Sequence, residues 1–239
     1  EAAALPGIIV SGVDMHIGSQ ITDLQPFDDA FALLSDFVVQ LRADGHHIDH
    51  LDLGGGLGVQ YRPDNSPPPH PDDYAAIIKK RLDHLKTKYV LEPGRLLVAN
   101  AGILVTKIIY MKVGEGKNFV IVDAAMNDLI RPTLYEAYHD IKPVREPSFN
   151  EPHIVADIVG PICESGDYMA LGRDLPQTEA GELLAVMSGG AYGAVQSGTY
   201  NSRPLIPEIL VKENSFAVIR PRQTYDALLA LDHLPDWLS

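Results

Sequence analysis

Cysteine is nearly missing from this sequence. A single one, Cys163, stands among 239 residues. No internal disulfide can form, and the lone thiol fits a reducing, cytoplasmic compartment. Long apolar runs are missing too: none approaches the roughly 18 residues needed to cross a bilayer. Glu1-Ala2-Ala3-Ala4 lacks the basic n-region of a secretory signal. Positive charge is scarce, with 19 Lys and Arg against 32 Asp and Glu and a net charge of −13. A field of that sign argues against nucleic acid or an anionic membrane as partner. Two nucleotide-binding signatures are also absent. Gly-x-Gly-x-x-Gly fails because Val59 stands three residues after Gly56, and the one Gly-Lys, Gly116-Lys117, is followed by Asn118. A histidine cluster (His46, His47 and His50, with Asp44 and Asp49) has metal-like spacing only in a helix. Gly45 and the strand-like Ile48-Asp49-His50-Leu51 oppose one, so no metal site is expected.

What remains is ordinary globular material, 46% hydrophobic and 21% charged, long enough for one or two domains with a substantial core. The β-branched run over 7–15 predicts a strand ending in His16-Ile17-Gly18-Ser19-Gln20. Phe27, Phe31, Leu34, Phe37, Val38 and Leu41 recur at helical spacing, with Asp28 and Asp29 at the start and Gly45 at the close. A second strand runs through His50-Leu51-Asp52-Leu53 into Gly54-Gly55-Gly56, completing a βαβ unit with parallel strands. A proline-rich loop over 62–71 follows, then a helix from about Asp72 to Lys86. A third strand, Tyr89-Val90-Leu91, ends at Glu92-Pro93-Gly94-Arg95. Three strands thus carry a polar or glycine motif at their C-terminal ends, where α/β folds place active sites. After about residue 100 the texture turns to short strands over 102–113, 117–123, 153–160, 183–188, 207–212 and 215–220. Gly114-Glu115-Gly116 marks a hairpin, 135–151 reads as a polar loop and 224–231 as a short helix. The expected organisation is α/β over 1–100 and a mainly antiparallel β-domain over 101–239.

Several groups of residues can carry chemistry. Three adjacent glycines free the backbone to gather N–H groups on an anion, or simply to make a tight turn. His16 offers a flat ring, Ser19 a hydroxyl, Glu92 a carboxylate and Arg95 a guanidinium. A phosphate, an aromatic ring with a basic nitrogen and a carboxylate would each find a complement there. Read singly, these are more simply a core histidine, a capping serine and a surface ion pair. Cys163 and Glu164, in Gly160-Pro161-Ile162-Cys163-Glu164-Ser165-Gly166-Asp167, form an acid or nucleophile candidate, or a small buried hydrophobe and its neighbour. Arg131 and Tyr135, four apart, would share a helical face and could hold a carboxylate, or else be a surface charge and a packed ring. Tyr192, in Gly189-Gly190-Ala191-Tyr192-Gly193, has a hydroxyl that can reach a phosphate.

In this order the motifs resemble the group IV, fold-type III pyridoxal-phosphate decarboxylases, and within them the branch acting on diaminopimelate. The motifs are His16-Ile17-Gly18-Ser19-Gln20, Gly54-Gly55-Gly56, Glu92-Pro93-Gly94-Arg95, Arg131-Pro132-x-x-Tyr135, Cys163-Glu164-Ser165-Gly166-Asp167 and Gly190-Ala191-Tyr192. The resemblance implies the later part of a cofactor-binding (β/α)8, TIM-like barrel followed by the β-domain. It also implies decarboxylation of meso-2,6-diaminopimelate to L-lysine and CO2 by a homodimer with a shared active site. His16 would stack on the pyridoxal 5'-phosphate ring. Ser19, Gly54, Gly55, Gly56 and Tyr192 would hold its phosphate, helped by the backbone of Glu92, Pro93, Gly94 and Arg95, and Glu92 would pair with the ring nitrogen. Arg95, Arg131 and Tyr135 would grip the retained carboxylate, with Glu164 on the distal ammonium and Cys163 as proton donor. The family's Schiff-base lysine, in a Tyr-x-x-Lys-Ala-like context, has no counterpart among the nine lysines. The sequence opens without methionine almost directly on a strand, so it reads as a C-terminal portion, inactive alone. Ornithine, arginine or carboxynorspermidine decarboxylation, or a non-catalytic relative, are the alternatives.

Overall fold

Apolar residues at a 3.6-residue period produce helix α1 (Gln25–Ala43), which buries Phe27, Phe31, Leu34 and Val38. That stripe is narrower than expected. Phe37 is 52% exposed, because it lies off the line traced by residues 27, 31, 34 and 38. This helix lies in the first of two compact units, Glu1–Asn100 and Ala101–Ser239. The computed structural model describes residues 1–65 and 67–238; Ser66, inside the proline-rich loop, and Ser239 lie outside the described residues.

The first unit holds three parallel strands in the order β1 (Gly12–Asp14), β2 (His50–Asp52) and β3 (Lys88–Val90). Helix α1 connects β1 to β2, and α2 (Pro71–Leu82) with a short 3-10 turn connects β2 to β3. His70 caps α2 by accepting the Asp72 N–H at 3.2 Å, and Pro71 takes the first helical position, where no N–H is needed. Tyr74, Ile78, Leu82 and Leu85 meet the α1 stripe and Leu51, with the Tyr74 ring edge-on to Phe27 at 5.0 Å. Asp28, nearly buried on α1, takes Arg81 and Lys80 of α2 as partners and ties the two helices by charge. The long run over 7–15 forms only the three-residue β1. Ile8 and Ile9 stay exposed, since the ladder with β2 begins at Gly12.

The second unit is built on a mixed six-stranded sheet in the order β6-β9-β4-β5-β7-β8. Its strands are β4 (Leu104–Val113), β5 (Asn118–Val122), β6 (Ile141–Pro143), β7 (His153–Val159), β8 (Tyr168–Pro176) and β9 (Leu183–Val186). The β4–β5 hairpin turns at Gly114, whose N–H bonds to the Lys117 carbonyl at 3.1 Å. All pairings are antiparallel except β5–β7. Leu104, Ile108, Val120, Val122, Ile158, Met169, Leu175 and Leu184 fill the core, and the edge strands β6 and β8 approach each other, so the sheet curls towards closure. Two strands escaped the sequence. β6 hides in the polar stretch expected to be a loop, and β8 is broken up by Gly172, Arg173 and Asp174. A hairpin of β10 (Glu208–Lys212) and β11 (Ser215–Arg220) follows, then α5 (Tyr225–Leu229).

Candidate functional site

In the first unit the C-terminal ends of β1, β2 and β3 come together through the backbone. The Met15 N–H bonds to the Asp52 carbonyl (3.0 Å), Leu53 to Val90 (3.0 Å), Glu92 to Gly54 (2.8 Å) and Ile21 to Gly56 (2.9 Å). Those bonds bring the chains so close that the triple glycine is obligatory. A Cβ on Gly55 would lie 2.2 Å from the Glu92 carbonyl oxygen, and one on Gly56 2.4 Å from the Gly18 oxygen. Gly54 and Gly56 also hold φ of +64 and +103. The glycines' first task is therefore packing of three strand ends. Gly54 spends its N–H on the Asp52 carboxylate at 2.9 Å. Among the described residues no acceptor pairs with the N–H groups of Gly55 and Gly56, which remain as donors.

Around this turn the sequence-predicted side chains assemble. Arg95, on α3 (Gly94–Val98), donates to the Ser19 hydroxyl at 3.0 Å and to the Tyr61 hydroxyl at 2.6 Å. It thereby fastens the loop after β1 to the segment that follows the glycines. Gln20 makes a two-way amide pair with the Val59 backbone, at 2.7 and 3.2 Å, locking the same two loops. His16 and Glu92 are exposed at their strand ends, and Pro93 precedes α3. Tyr61 and Asp52 were not anticipated, because nothing in their immediate neighbours marks either one.

In the second unit, α4 (Arg131–Tyr135) carries the expected pair at its two ends, in unlike surroundings. Arg131 is buried with its guanidinium 2.7 Å from His139 Nε2, whereas Tyr135 is 62% exposed. The Thr133 hydroxyl donates to the Gly166 carbonyl, fastening α4 to the turn that bears Cys163 and Glu164. That turn is shaped by buried Asp167, whose carboxylate accepts from Met126 N–H (2.7 Å) and Ile162 N–H (2.6 Å). Burial raises the Asp167 pKa, although the two N–H donors oppose it. Cys163 is exposed, not a buried hydrophobe. Glu164 is also exposed and accepts from the Tyr200 hydroxyl at 3.3 Å; its charge is the main cause of a raised Tyr200 pKa. Tyr192 lies in a tight turn, with φ of +57, that is tied to the sheet by the Gly189 N–H on the Gly102 carbonyl at 2.8 Å. Asn127 joins the segment after this turn to the one before α4, donating to the Gly198 carbonyl at 3.1 Å. So the structure knits the segments bearing Arg131, Tyr135, Cys163, Glu164 and Tyr192 into one region of the second unit. Asp167, Tyr200, Asn127 and His139 are the members that sequence reasoning missed. Of these Asp167 and Asn127 stood inside stretches the sequence singled out, Asn127 at the head of the run that ends at Tyr135, but neither was given a role. A separate cavity of about 1300 Å³ in this unit is lined by Asp128, Gly189, Gly190 and Arg203 among others, and by none of the five expected residues.

The family described as pyridoxal-dependent decarboxylase, C-terminal sheet domain, matches residues 14–190. The chain is 46% identical over 238 residues to the diaminopimelate decarboxylase of Zymomonas mobilis, covering 100% of this chain and 56% of that one. It is 50% identical over 234 residues to the Pseudomonas aeruginosa enzyme of the same name, covering 98% and 55%. The crystal structure of diaminopimelate decarboxylase from M. jannaschii in complex with L-lysine matches with a TM-score of 0.90 at 39% identity, over 96% of this chain and 53% of that one. The chain thus spans about half the length of the curated relatives it matches.

Proposed function

The chain belongs to the pyridoxal-dependent decarboxylase family, and from that membership we propose that the protein carrying it converts meso-2,6-diaminopimelate to L-lysine and CO2. The observation that carries this reading is the contact of three strand ends in the first unit. It gathers the donors and charges that the family's cofactor needs in the family's order. The residues present suit pyridoxal phosphate: the open N–H groups of Gly55 and Gly56 and the Ser19 hydroxyl offer donors to a phosphate, and the exposed Glu92 carboxylate stands beside them. When bound, that cofactor supplies an electron sink for the pair released as a carboxylate leaves.

In this reading Glu92 keeps a proton on the ring nitrogen, His16 lies flat against the ring, and Tyr192 adds a hydroxyl to the phosphate set. Pro93 and Gly94 shape the turn that presents Glu92 and Arg95. Arg95, Arg131 and Tyr135 orient the carboxylate that is kept, and Glu164 takes the distal ammonium. Cys163 Sγ delivers the proton that replaces CO2. A second copy of the chain completes this arrangement as a homodimer, and the first unit is the later part of a (β/α)8 barrel. The lone thiol supports a cytoplasmic location, and no helix among the described residues is long and apolar enough to cross a membrane. None of the nine lysines sits in a Tyr-x-x-Lys-Ala-like context, so these 239 residues alone are expected to be inactive.

The test is CO2 release by the cofactor-loaded, full-length protein that carries this chain, from meso-diaminopimelate, ornithine and arginine side by side. Diaminopimelate should be preferred, and Arg131→Ala should erase most of that preference while leaving cofactor affinity in place. Equal turnover of ornithine, or an Arg131→Ala variant as selective as the parent, would overturn the assignment.

A further inference from the structure

We propose that His139 is a positioning residue, whose uncharged imidazole holds the Arg131 guanidinium in one orientation without offsetting its positive charge. This rests on the reading above, in which Arg131 binds a carboxylate. The chain itself brings the two side chains together. After α4, Glu136 adopts φ of +52 and reverses the backbone, and the Arg131 carbonyl accepts the N–H groups of both Glu136 and Ala137. His139 then returns beside the start of the helix, fully buried. Its Nε2 lies 2.7 Å from Arg131 Nη1, and its Nδ1 lies 2.8 Å from the Met187 carbonyl oxygen.

Those two partners decide the state of the ring. A carbonyl can only accept, so Nδ1 carries a proton. A guanidinium can only donate, so Nε2 presents its lone pair. The imidazole is therefore neutral and confined to one tautomer. Its anchors are stiff. Met187 follows β9, and its own N–H bonds to the Asp140 carbonyl at 2.8 Å, next to the β6–β9 ladder. The His139 carbonyl accepts from Arg173 Nη1 of β8 at 2.7 Å, and the Arg173 guanidinium stacks 4.0 Å over the Tyr138 ring. A carboxylate in place of the imidazole would orient Arg131 equally well. It would also neutralise the charge that an anionic ligand needs. A neutral acceptor orients the guanidinium and brings no negative charge of its own.

Two near-isosteric variants separate the two bonds. His139→Gln keeps an acceptor near the Nε2 position, facing Arg131. His139→Asn keeps a donor near the Nδ1 position, facing Met187, and removes the acceptor. In the cofactor-loaded enzyme, His139→Asn should raise KM for meso-diaminopimelate roughly 10- to 100-fold, the loss typical of one hydrogen bond to a charged group. His139→Gln should stay close to the parent, and kcat and cofactor affinity should change little in either. A role limited to bracing the Met187 segment predicts the reverse ranking, and that result, or equal effects, overturns the proposal. Arg131→Ala is the control: if it leaves KM unchanged, the carboxylate-binding reading itself fails and the proposal falls with it. A readout independent of activity is the ¹⁵N spectrum of the imidazole, which should show a protonated Nδ1 and an unprotonated Nε2. A protonated Nε2, or exchange between tautomers, also overturns it.

Discussion

Replacing Gly55 by alanine tests whether the triple glycine exists to let strand ends touch. The added Cβ would sit 2.2 Å from the Glu92 carbonyl oxygen, and the atom it meets is backbone, which no rotamer change can move aside. Real contacts of this kind stay above 3.0 Å, so the ends of β2 and β3 must part by at least about 0.8 Å. That movement stretches the Glu92-to-Gly54 hydrogen bond, now 2.8 Å, beyond bonding range. Losing it costs about 1 kcal/mol, and the forced overpacking adds about 1–3 kcal/mol. Against this, alanine restricts the unfolded chain and returns about 0.4–1 kcal/mol, for a net loss of about 1–4 kcal/mol. Gly94→Ala is the matched control. Nothing lies within 4 Å of its Cβ and it opens α3, so it should be neutral or stabilising by up to about 1 kcal/mol. Urea titration followed at 222 nm reports mainly the first unit, because the two long helices, of 19 and 12 residues, both lie there. The single tryptophan, Trp237, is 81% exposed and reports little, so hydrogen exchange of the buried sheet residues Ile108, Val120 and Ile158 follows the second unit, where Gly55→Ala should change nothing. If Gly55→Ala unfolds the first unit no earlier than Gly94→Ala does, the packing explanation is wrong.

Three further outcomes follow from the geometry. Arg81, then Lys80, hold the Asp28 carboxylate well below its ordinary pKa of 3.8, so the pair stabilises the fold fully above that value. That stability is lost as pH falls through the folded-state value, and Asp28→Asn should flatten the acid limb of the first unit's stability curve; an unchanged limb would refute the assignment. Asp167→Asn leaves one of two backbone N–H donors facing an amide instead of an acceptor. It should destabilise the second unit by about 1–3 kcal/mol, read from hydrogen exchange of its sheet amides, and unaltered exchange would show the turn does not need the carboxylate. Glu164→Gln removes the charge that chiefly raises the Tyr200 pKa, so phenol ionisation of Tyr200, followed by ¹³C NMR, should shift to lower pH. No shift would place the cause elsewhere.

Much of the architecture was legible in consecutive residues, because helical period, cap chemistry and turn residues are local properties. The stripe of α1, the presence of α2, the β4–β5 hairpin and the three strand-end motifs were readable, although Pro71, which opens α2, read as the end of the loop before it. The failures have physical causes. β8 was missed because Gly172, Arg173 and Asp174 interrupt its apolar pattern, while burial of Met169, Ala170 and Leu175 against the sheet decides its conformation. β6 is three residues long and exists because β9 offers it a ladder. Phe37 looked like core on spacing, yet the stripe that α2 covers does not extend to it.

Residue types alone set which positions could turn, cap, carry charge or donate a proton, and in what order along the chain. They also set that residues 54–56 lack Cβ atoms and that one thiol, Cys163, is available. Only the tertiary structure decided whom these residues meet. It placed the Glu92 and Gly18 carbonyls where the missing Cβ atoms would be, joined Arg95 to Ser19 across 76 positions of chain, set Asp167 under the Cys163 turn and seated Arg131 against His139. The reason is that periodicity and φ preferences belong to neighbours in sequence. A hydrogen bond between distant residues depends on strand register and crossover, which the packing of both cores settles together.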